Sequence, residues 1–169
     1  MASTTMQLIW GDILAACLMS RKGFTAELFA ELHPGGSLGA KLLKIKDLMH
    51  STFPVIGTTA TLIETLQSIS NGKLGMSVVL DGNELKGVVS DGDIRRALEQ
   101  AQSRGINPLQ LKASDILSGH PPYTISPDRL AAEAAGVMEA HKITFLVVIE
   151  MGKSIGVIHI HDLLNAKVI

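Results

Sequence analysis

The sequence predicts a mixed α/β (α+β) fold made of two similar β-α-β-β-α units that follow one another along the chain. Three observations predict it. The second half of the chain repeats residues of the first in the same order, each half carries β-branched runs of strand length, and each half has apolar residues at helical spacing. We expect the two units to pack about a pseudo-two-fold axis, because neither can bury a sufficient core alone.

The internal repeat extends over whole units. Asp47 matches Asp115, and residues 87–93 (GVVSDGD) match residues 156–162 (GVIHIHD). The alternative is two unrelated small units whose glycines merely end strands. The shared order of elements favours one fold used twice.

Each unit is predicted to contain a strand pair and helices. The β-branched runs place strands at 76–80, 85–89, 144–149 and 155–160, and Asp81-Gly82-Asn83 is typical of a hairpin turn. Spacing of i, i+4, i+7 predicts one helix in each unit, on Leu62, Leu66 and Ile69 and on Leu130, Ala134 and Val137. Ser126-Pro127-Asp128 is typical of a helix start, and Asn71-Gly72 of a helix end.

Composition excludes several classes of protein. The 169 residues include 15 Lys+Arg and 16 Asp+Glu, a formal net charge of −1, so we expect neither a nucleic-acid nor a membrane partner. With 46% hydrophobic residues the chain can bury a core. The single cysteine, Cys17, excludes an internal disulfide and fits a reducing compartment. No apolar run approaches the roughly 20 residues of a membrane span. We therefore expect a cytoplasmic protein.

The first forty-odd residues belong to neither repeat. Residues 6–19 are apolar almost all round a predicted helix, capped by residues 2–5, and such a helix expects burial on most sides. A second short helix is predicted at 24–32, followed by residues 33–39 (HPGGSLG). We expect this segment, residues 1–43, to be cut from a larger domain.

The repeats resemble a tandem pair of CBS domains, a Bateman module, from about residue 44 to residue 166. The likeness rests on a strand that ends Gly-x-x-Ser/Thr-x-x-Asp and runs into a helix; it implies repeats at 44–105 and 106–169. In that family the hydroxyl contacts a ligand phosphate or ribose and the Asp accepts from ribose hydroxyls. The resemblance implies nucleotide contacts at Ser90, Asp93, His159, Asp162, Met76, Ser77, Thr144 and Phe145. His159 departs from the family's usual Ser or Thr.

These residues also have simpler interpretations. Asp93 and Asp162 are each placed to stabilise the first turn of a helix, whose N-terminus favours negative charge. His159 and His161 point to the same face of a strand, as in half of a zinc site. No third ligand is evident in the sequence, so we predict no metal site.

The N-terminal segment carries a second resemblance. Ser3-Thr4-Thr5, Gly11-Asp12 and residues 23–27 (GFTAE), together with residues 33–39, resemble the end of a SIS (sugar isomerase) domain, as found before the CBS pair of bacterial arabinose-5-phosphate isomerases. That family interconverts D-ribulose 5-phosphate and D-arabinose 5-phosphate for Kdo and lipopolysaccharide synthesis. It implies that His33 is a remnant of the catalytic site; the alternative is a histidine that ends a helix before Pro34.

Two functions follow from the resemblances. In the first, the pair is the regulatory region of an isomerase and binds AMP, ATP or CMP-Kdo in the cleft between repeats, with no required cofactor. In the second, it is an oligomerisation platform for the catalytic SIS domain of the same parent chain. We expect a homodimer through the CBS pair and a tetrameric parent. The chain alone lacks the phosphate loop and carboxylate bases of a SIS domain, so we predict that it has no isomerase activity.

Overall fold

The protein is described from a computed structural model that defines residues 3–25, 28–29, 40, 42–117 and 119–169. The chain divides into two compact units, Met1–Leu42 and Leu43–Ile169. Most of the helix predicted at 24–32, and residue His33, lie outside the described residues.

The first unit contains helix α1, Thr4–Arg21. Its N-cap is Ser3, whose side chain accepts a hydrogen bond from the Thr5 N–H at 3.3 Å. None of its residues is buried, and Trp10 is 67% exposed. The described residues of this chain therefore do not cover the apolar surface of this helix.

The second unit holds two three-stranded sheets with helices between and around their strands. Its elements are α2 (Ile45–Leu48), β1 (Val55–Gly57), α3 (Leu62–Gly72), β2 (Met76–Asp81), β3 (Glu84–Ser90), α4 (Asp91–Ser103), a 3₁₀ turn (Pro108–Gln110), α5 (Ala113–Ile116), β4 (Thr124–Ile125), α6 (Ala131–His141), β5 (Phe145–Glu150), β6 (Lys153–His159) and α7 (Ile160–Asn165). The sheet orders are β1-β2-β3 and β4-β5-β6. In each, the first pair is parallel and the second antiparallel, which confirms the predicted mixed fold of two like units.

Both hairpins have loops of two residues. Asp81 pairs with Glu84 and Glu150 with Lys153. Gly82 in the first loop has φ +61°, the left-handed conformation that glycine adopts at no steric cost. In the second loop both Met151, at φ +48°, and Gly152, at φ +78°, are left-handed, so the two turns differ in conformation.

The short helices α2 and α5 are exchanged between the halves. Ile45 of α2 is fully buried in the core of the second half, where it joins Met138, Leu146 and Ile158. Ile116 of α5 is buried in the core of the first half. Each half therefore completes its core with the helix that precedes the other half, and the two are interlocked.

This exchange explains why one predicted helix start is wrong. The Ser126-Pro127-Asp128 segment forms a turn, and α6 begins only at Ala131. The carbonyls of Pro127 and Arg129 accept hydrogen bonds from the N–H groups of Lys46 and Ile45, at 3.0 and 2.9 Å. Through these two backbone hydrogen bonds the turn positions the start of α2.

A third cluster joins the two sheets. Met76 and Val78 of β2 pack with Val147 of β5 and Val157 of β6, all within 1% of complete burial. This apolar seam fixes the halves against each other. In the described part of the chain, no helix is both long and apolar enough to cross a membrane.

Candidate functional site

A cavity of about 590 Å³ opens at the edge of the seam between the two halves. The first half contributes the residues just before β2, the end of β3 and the first turn of α4. The second half contributes the approach to β4, the end of α6, the start of β5 and the end of β6. Its polar and aromatic lining comprises Ser90, Asp91, Asp93, Arg96, His120, Tyr123, His141, Lys142, Thr144, Phe145 and His159. The volume is within the range of small-molecule sites.

The first turn of α4 presents a hydrogen-bonded carboxylate to this cavity. Ser90 is the N-cap, and one oxygen of Asp93, Oδ2, accepts from the Ser90 N–H at 2.9 Å and from its Oγ at 2.6 Å. In return the Asp93 N–H donates to Ser90 Oγ at 3.3 Å. This capping box fixes the carboxylate, which is only 8% exposed.

Arg96 completes this cluster. It lies one turn further along α4 and its Nη2 donates to the second oxygen of Asp93, Oδ1, at 2.5 Å. The side chain of Arg96 remains 59% exposed while that of Asp93 is 10% exposed. The carboxylate of Asp93 is therefore fixed, whereas the guanidinium that pairs with it is exposed on the cavity side.

The opposite wall carries rings and a lysine. Tyr123 stacks on His141 with ring centroids 4.1 Å apart and an interplanar angle of 27°. Lys142 follows as the C-cap of α6 with φ +54°, a left-handed conformation more usual for glycine. Among the described residues Lys142 forms no ion pair, so its charge is available to the cavity.

His159 lies where the second half meets the cavity. Burial, and after it the neighbouring His161, lower the pKa of His159. The two ring centroids are 4.9 Å apart, and His159 Nδ1 accepts a hydrogen bond from the His161 N–H at 3.2 Å. The His159 ring is therefore neutral near pH 7 and acts as a polar, uncharged wall.

Five of the predicted ligand residues line the cavity: Ser90, Asp93, Thr144, Phe145 and His159. Met76 and Ser77 do not, because both side chains are fully buried. The hydroxyl of Ser77 is hydrogen-bonded to that of Ser68 at 2.9 Å.

Asp162 also lies off the cavity wall. Its Oδ2 accepts from the His159 N–H at 2.8 Å, and its Oδ1 lies 3.0 Å from His50 Nε2. Of the two matched aspartates, Asp93 thus lines this cavity, whereas Asp162 is hydrogen-bonded to His159 and lies beside His50.

Sequence reasoning missed six of the polar and aromatic residues that line the cavity: Asp91, Arg96, His120, Tyr123, His141 and Lys142. Arg96 had a local signal, because residues three apart on a helix share a face and Asp93 is three residues earlier. Asp91 lies inside the repeated segment at residues 87–93, whereas the other four had no local signal, since only the packing of the halves brings them to the seam. In the described residues, no group of three or more His, Cys, Asp or Glu side chains is placed to hold a metal ion.

Comparison with known proteins agrees with the repeat. The model of the CBS domain matches residues 45–100 and 113–169, so the chain belongs to the CBS domain family. Arabinose 5-phosphate isomerase KdsD of Escherichia coli K12 is 39% identical over 172 residues, covering 99% of this chain and 51% of that protein. KdsD of Pseudomonas aeruginosa is 42% identical with the same coverage.

The chain spans about half the length of the curated relatives it matches. Among solved structures, an AMP complex of a CBS domain protein from Pyrobaculum aerophilum has a TM-score of 0.59. It is 23% identical, and the match covers 71% of this chain and 89% of that one. This likeness establishes the fold of the repeat pair.

Proposed function

We propose that residues 44–169 form the regulatory CBS pair of an arabinose-5-phosphate isomerase and bind a nucleotide or nucleotide-sugar. The observation that carries this proposal is the cavity of about 590 Å³, to which both halves contribute polar and aromatic side chains. A structural neighbour complexed with AMP and the relatedness to KdsD support it.

The wall offers a partner for each part of a nucleotide. Asp93 is a carboxylate fixed by Ser90 through Oδ2, and its Oδ1 can accept from a ribose hydroxyl. The start of α4 and the cations Arg96 and Lys142 suit a phosphate. Tyr123 and Phe145 supply ring faces for a base.

The identity of the nucleotide is part of the proposal. AMP is the first candidate because it is the ligand of the structural neighbour, with ATP as a second. CMP-Kdo is the third, because feedback by a nucleotide-sugar would suit an enzyme that feeds Kdo synthesis. No cofactor is required by this scheme.

The remaining proposals concern the parent protein. We infer that residues 1–43 belong to a catalytic SIS domain of the same chain, that 44–105 and 106–169 are the two CBS repeats, and that His33 serves in the catalytic site of the parent. The parent would act in the cytoplasm on D-ribulose 5-phosphate as a tetramer, and the CBS pair would form a homodimer. The 169-residue chain alone would show no conversion of D-ribulose 5-phosphate, which a coupled assay tests directly.

Calorimetric titration of the 169-residue chain with AMP, ATP, CMP and CMP-Kdo tests the ligand. We expect saturable binding of one nucleotide per chain. Asp93→Ala should weaken it by at least about tenfold, since it removes a charged hydrogen-bond acceptor. Asp162→Ala is the matched control, because Asp162 is the same residue type at the equivalent position and does not line the cavity.

Equal losses in both variants would contradict the assignment of the site. If none of the four compounds binds while sedimentation reports a dimer, the CBS pair is an oligomerisation platform instead. That outcome would overturn the sensor and retain the structural alternative.

A further inference from the structure

Arg96 is folded back over the first turn of α4. Its Nη1 and Nη2 lie 3.5 and 4.0 Å from the point that a Cβ on Gly92 would occupy, and Ser90 Oγ lies 3.6 Å from the same point. The guanidinium therefore covers the start of the helix on the cavity side.

The contacts of Asp93 show what this arginine does. Asp93 Oδ2 is fully engaged by the N–H and hydroxyl of Ser90 within the helix cap. Asp93 Oδ1 is the oxygen that faces Arg96. A sugar hydroxyl that approaches Asp93 from the cavity must therefore compete with the guanidinium for Oδ1.

The guanidinium can leave Asp93 without leaving the cavity. Its side chain is 59% exposed, and among the described residues its ion pair is with Asp93 alone. A planar guanidinium matches the oxygens of a phosphate as well as those of a carboxylate. A ligand with both sugar hydroxyls and a phosphate can thus take Asp93 and the arginine together.

The equivalent position in the second half carries no arginine. Counting from the matched aspartates, Asn165 stands where Arg96 stands, and Asp162 is paired with His50. The arrangement is therefore a property of one side of the repeat pair.

We propose that Arg96 is the residue that makes the cavity selective for phosphorylated ligands. It neutralises Asp93 until sugar hydroxyls engage that carboxylate, and it then transfers to the ligand phosphate. This inference rests on the proposed nucleotide-binding function and adds to it the requirement for a phosphate. A nucleoside has no phosphate with which Arg96 can pair after it leaves Asp93, so nucleosides bind less tightly.

The test compares a nucleotide with its nucleoside by calorimetry: AMP with adenosine, and CMP with cytidine. We expect Arg96→Ala to weaken nucleotide binding by about tenfold or more, the loss of one charge-assisted interaction. Nucleoside binding should not weaken and should become tighter, because the sugar hydroxyls no longer compete with a guanidinium for Asp93, so that the nucleotide-to-nucleoside preference collapses. Arg96→Lys should retain an intermediate preference, because it keeps the charge and loses the planar fork.

Arg95→Ala is the matched control, since Arg95 is the adjacent exposed arginine of α4 and does not line the cavity. It should leave both affinities unchanged. If Arg96→Ala weakens nucleotide and nucleoside equally, or neither, Arg96 is merely structural and the inference is wrong. If the unaltered protein binds neither AMP nor CMP, the proposed function itself fails and this inference falls with it.

Discussion

The two halves of the repeat pair share a backbone and differ in how each treats its aspartate. Both sheets have the same strand order, both hairpins have two-residue loops, and both exchanged helices are capped by an aspartate three residues after the cap. Yet Asp93 lines a cavity with Arg96 as its cation, whereas Asp162 is paired with His50 from the segment that precedes β1. The two halves therefore share a backbone scaffold, and a few side chains give the two aspartates different partners.

The difference shows which residues distinguish the cavity side of the repeat pair from the other side. Ser90 and His159 occupy the same cap position, and both hold the N–H groups of a helix start. What distinguishes the cavity side is the neighbouring wall, because Tyr123 and His141 occupy the positions that Pro54 and Gly72 occupy in the first half. A helix start with an acidic residue is therefore common to both halves, and the ring-bearing wall is not.

The largest effect is expected from mutations in the exchanged helices, on which the symmetry of the two halves depends. Ile45→Ala and Ile116→Ala should each lower the free energy of unfolding by about 2–4 kcal/mol, because each empties a buried site in the opposite half. Urea denaturation measures the change. Ile63→Ala is the matched control, since Ile63 is 53% exposed, and it should cost less than about 0.5 kcal/mol. A mild effect at Ile45 would show that α2 is not part of the second core.

The two aspartates should also differ in their contribution to stability. Asp93→Asn weakens two bonds from Ser90 and the ion pair to Arg96 at an almost buried carboxylate, and should cost about 2 kcal/mol. Asp162→Asn weakens one backbone bond and a half-exposed histidine pair, and should cost about 1 kcal/mol. Thermal and urea unfolding of the two variants gives the comparison. Equal losses would mean that both caps contribute alike.

The ring-bearing wall allows a comparison of ligand affinity. Tyr123→Ala should weaken nucleotide binding by about fivefold, the usual size of one stacking contact. Pro54→Ala changes the equivalent position in the first half, which does not line the cavity, and should leave the affinity unchanged. Calorimetry gives the dissociation constants of the two variants. A loss of affinity at Pro54 comparable to that at Tyr123 would place a ligand on the other side of the pair.

Much of the fold could be predicted because its signals are local. The β-branched runs and the apolar spacing of α3 place strands and helices within a few residues of their observed bounds. The exchange of α2 and α5 could not be predicted, since helices of four residues have no periodicity. It depends on pairings such as the Ile45 N–H with the carbonyl of Arg129, which no local pattern reveals.

The residues predicted for the site also divide into those whose environment has a local signal in the sequence and those for which it has none. Ser90, Asp93 and His159 were predicted because a short spacing at a strand end carries them to the cavity. Asp162 has the same spacing, yet its partner His50 is 112 residues away, so the sequence gives no sign that it is already paired. Met76 and Ser77 were predicted to lie near the base, but the sequence does not say which face of a strand start meets the seam.

The smallest predicted effect is a dependence on pH that belongs to the second half alone. Because burial and His161 lower the pKa of His159 in the folded protein, the unfolded chain takes up this proton first as the pH falls. Stability therefore decreases as the pH drops below about 6.5, the ordinary value for histidine. His159→Ser, which installs the residue of the first half, should remove this contribution and leave those of the other histidines. Between pH 7.5 and 5.5 the wild type should lose more free energy of unfolding than the variant does. After allowance for solvent screening, we expect the two losses, measured by urea unfolding, to differ by less than about 1 kcal/mol. Parallel pH curves would show that the imidazole at the second cap is no more costly to protonate than a free one.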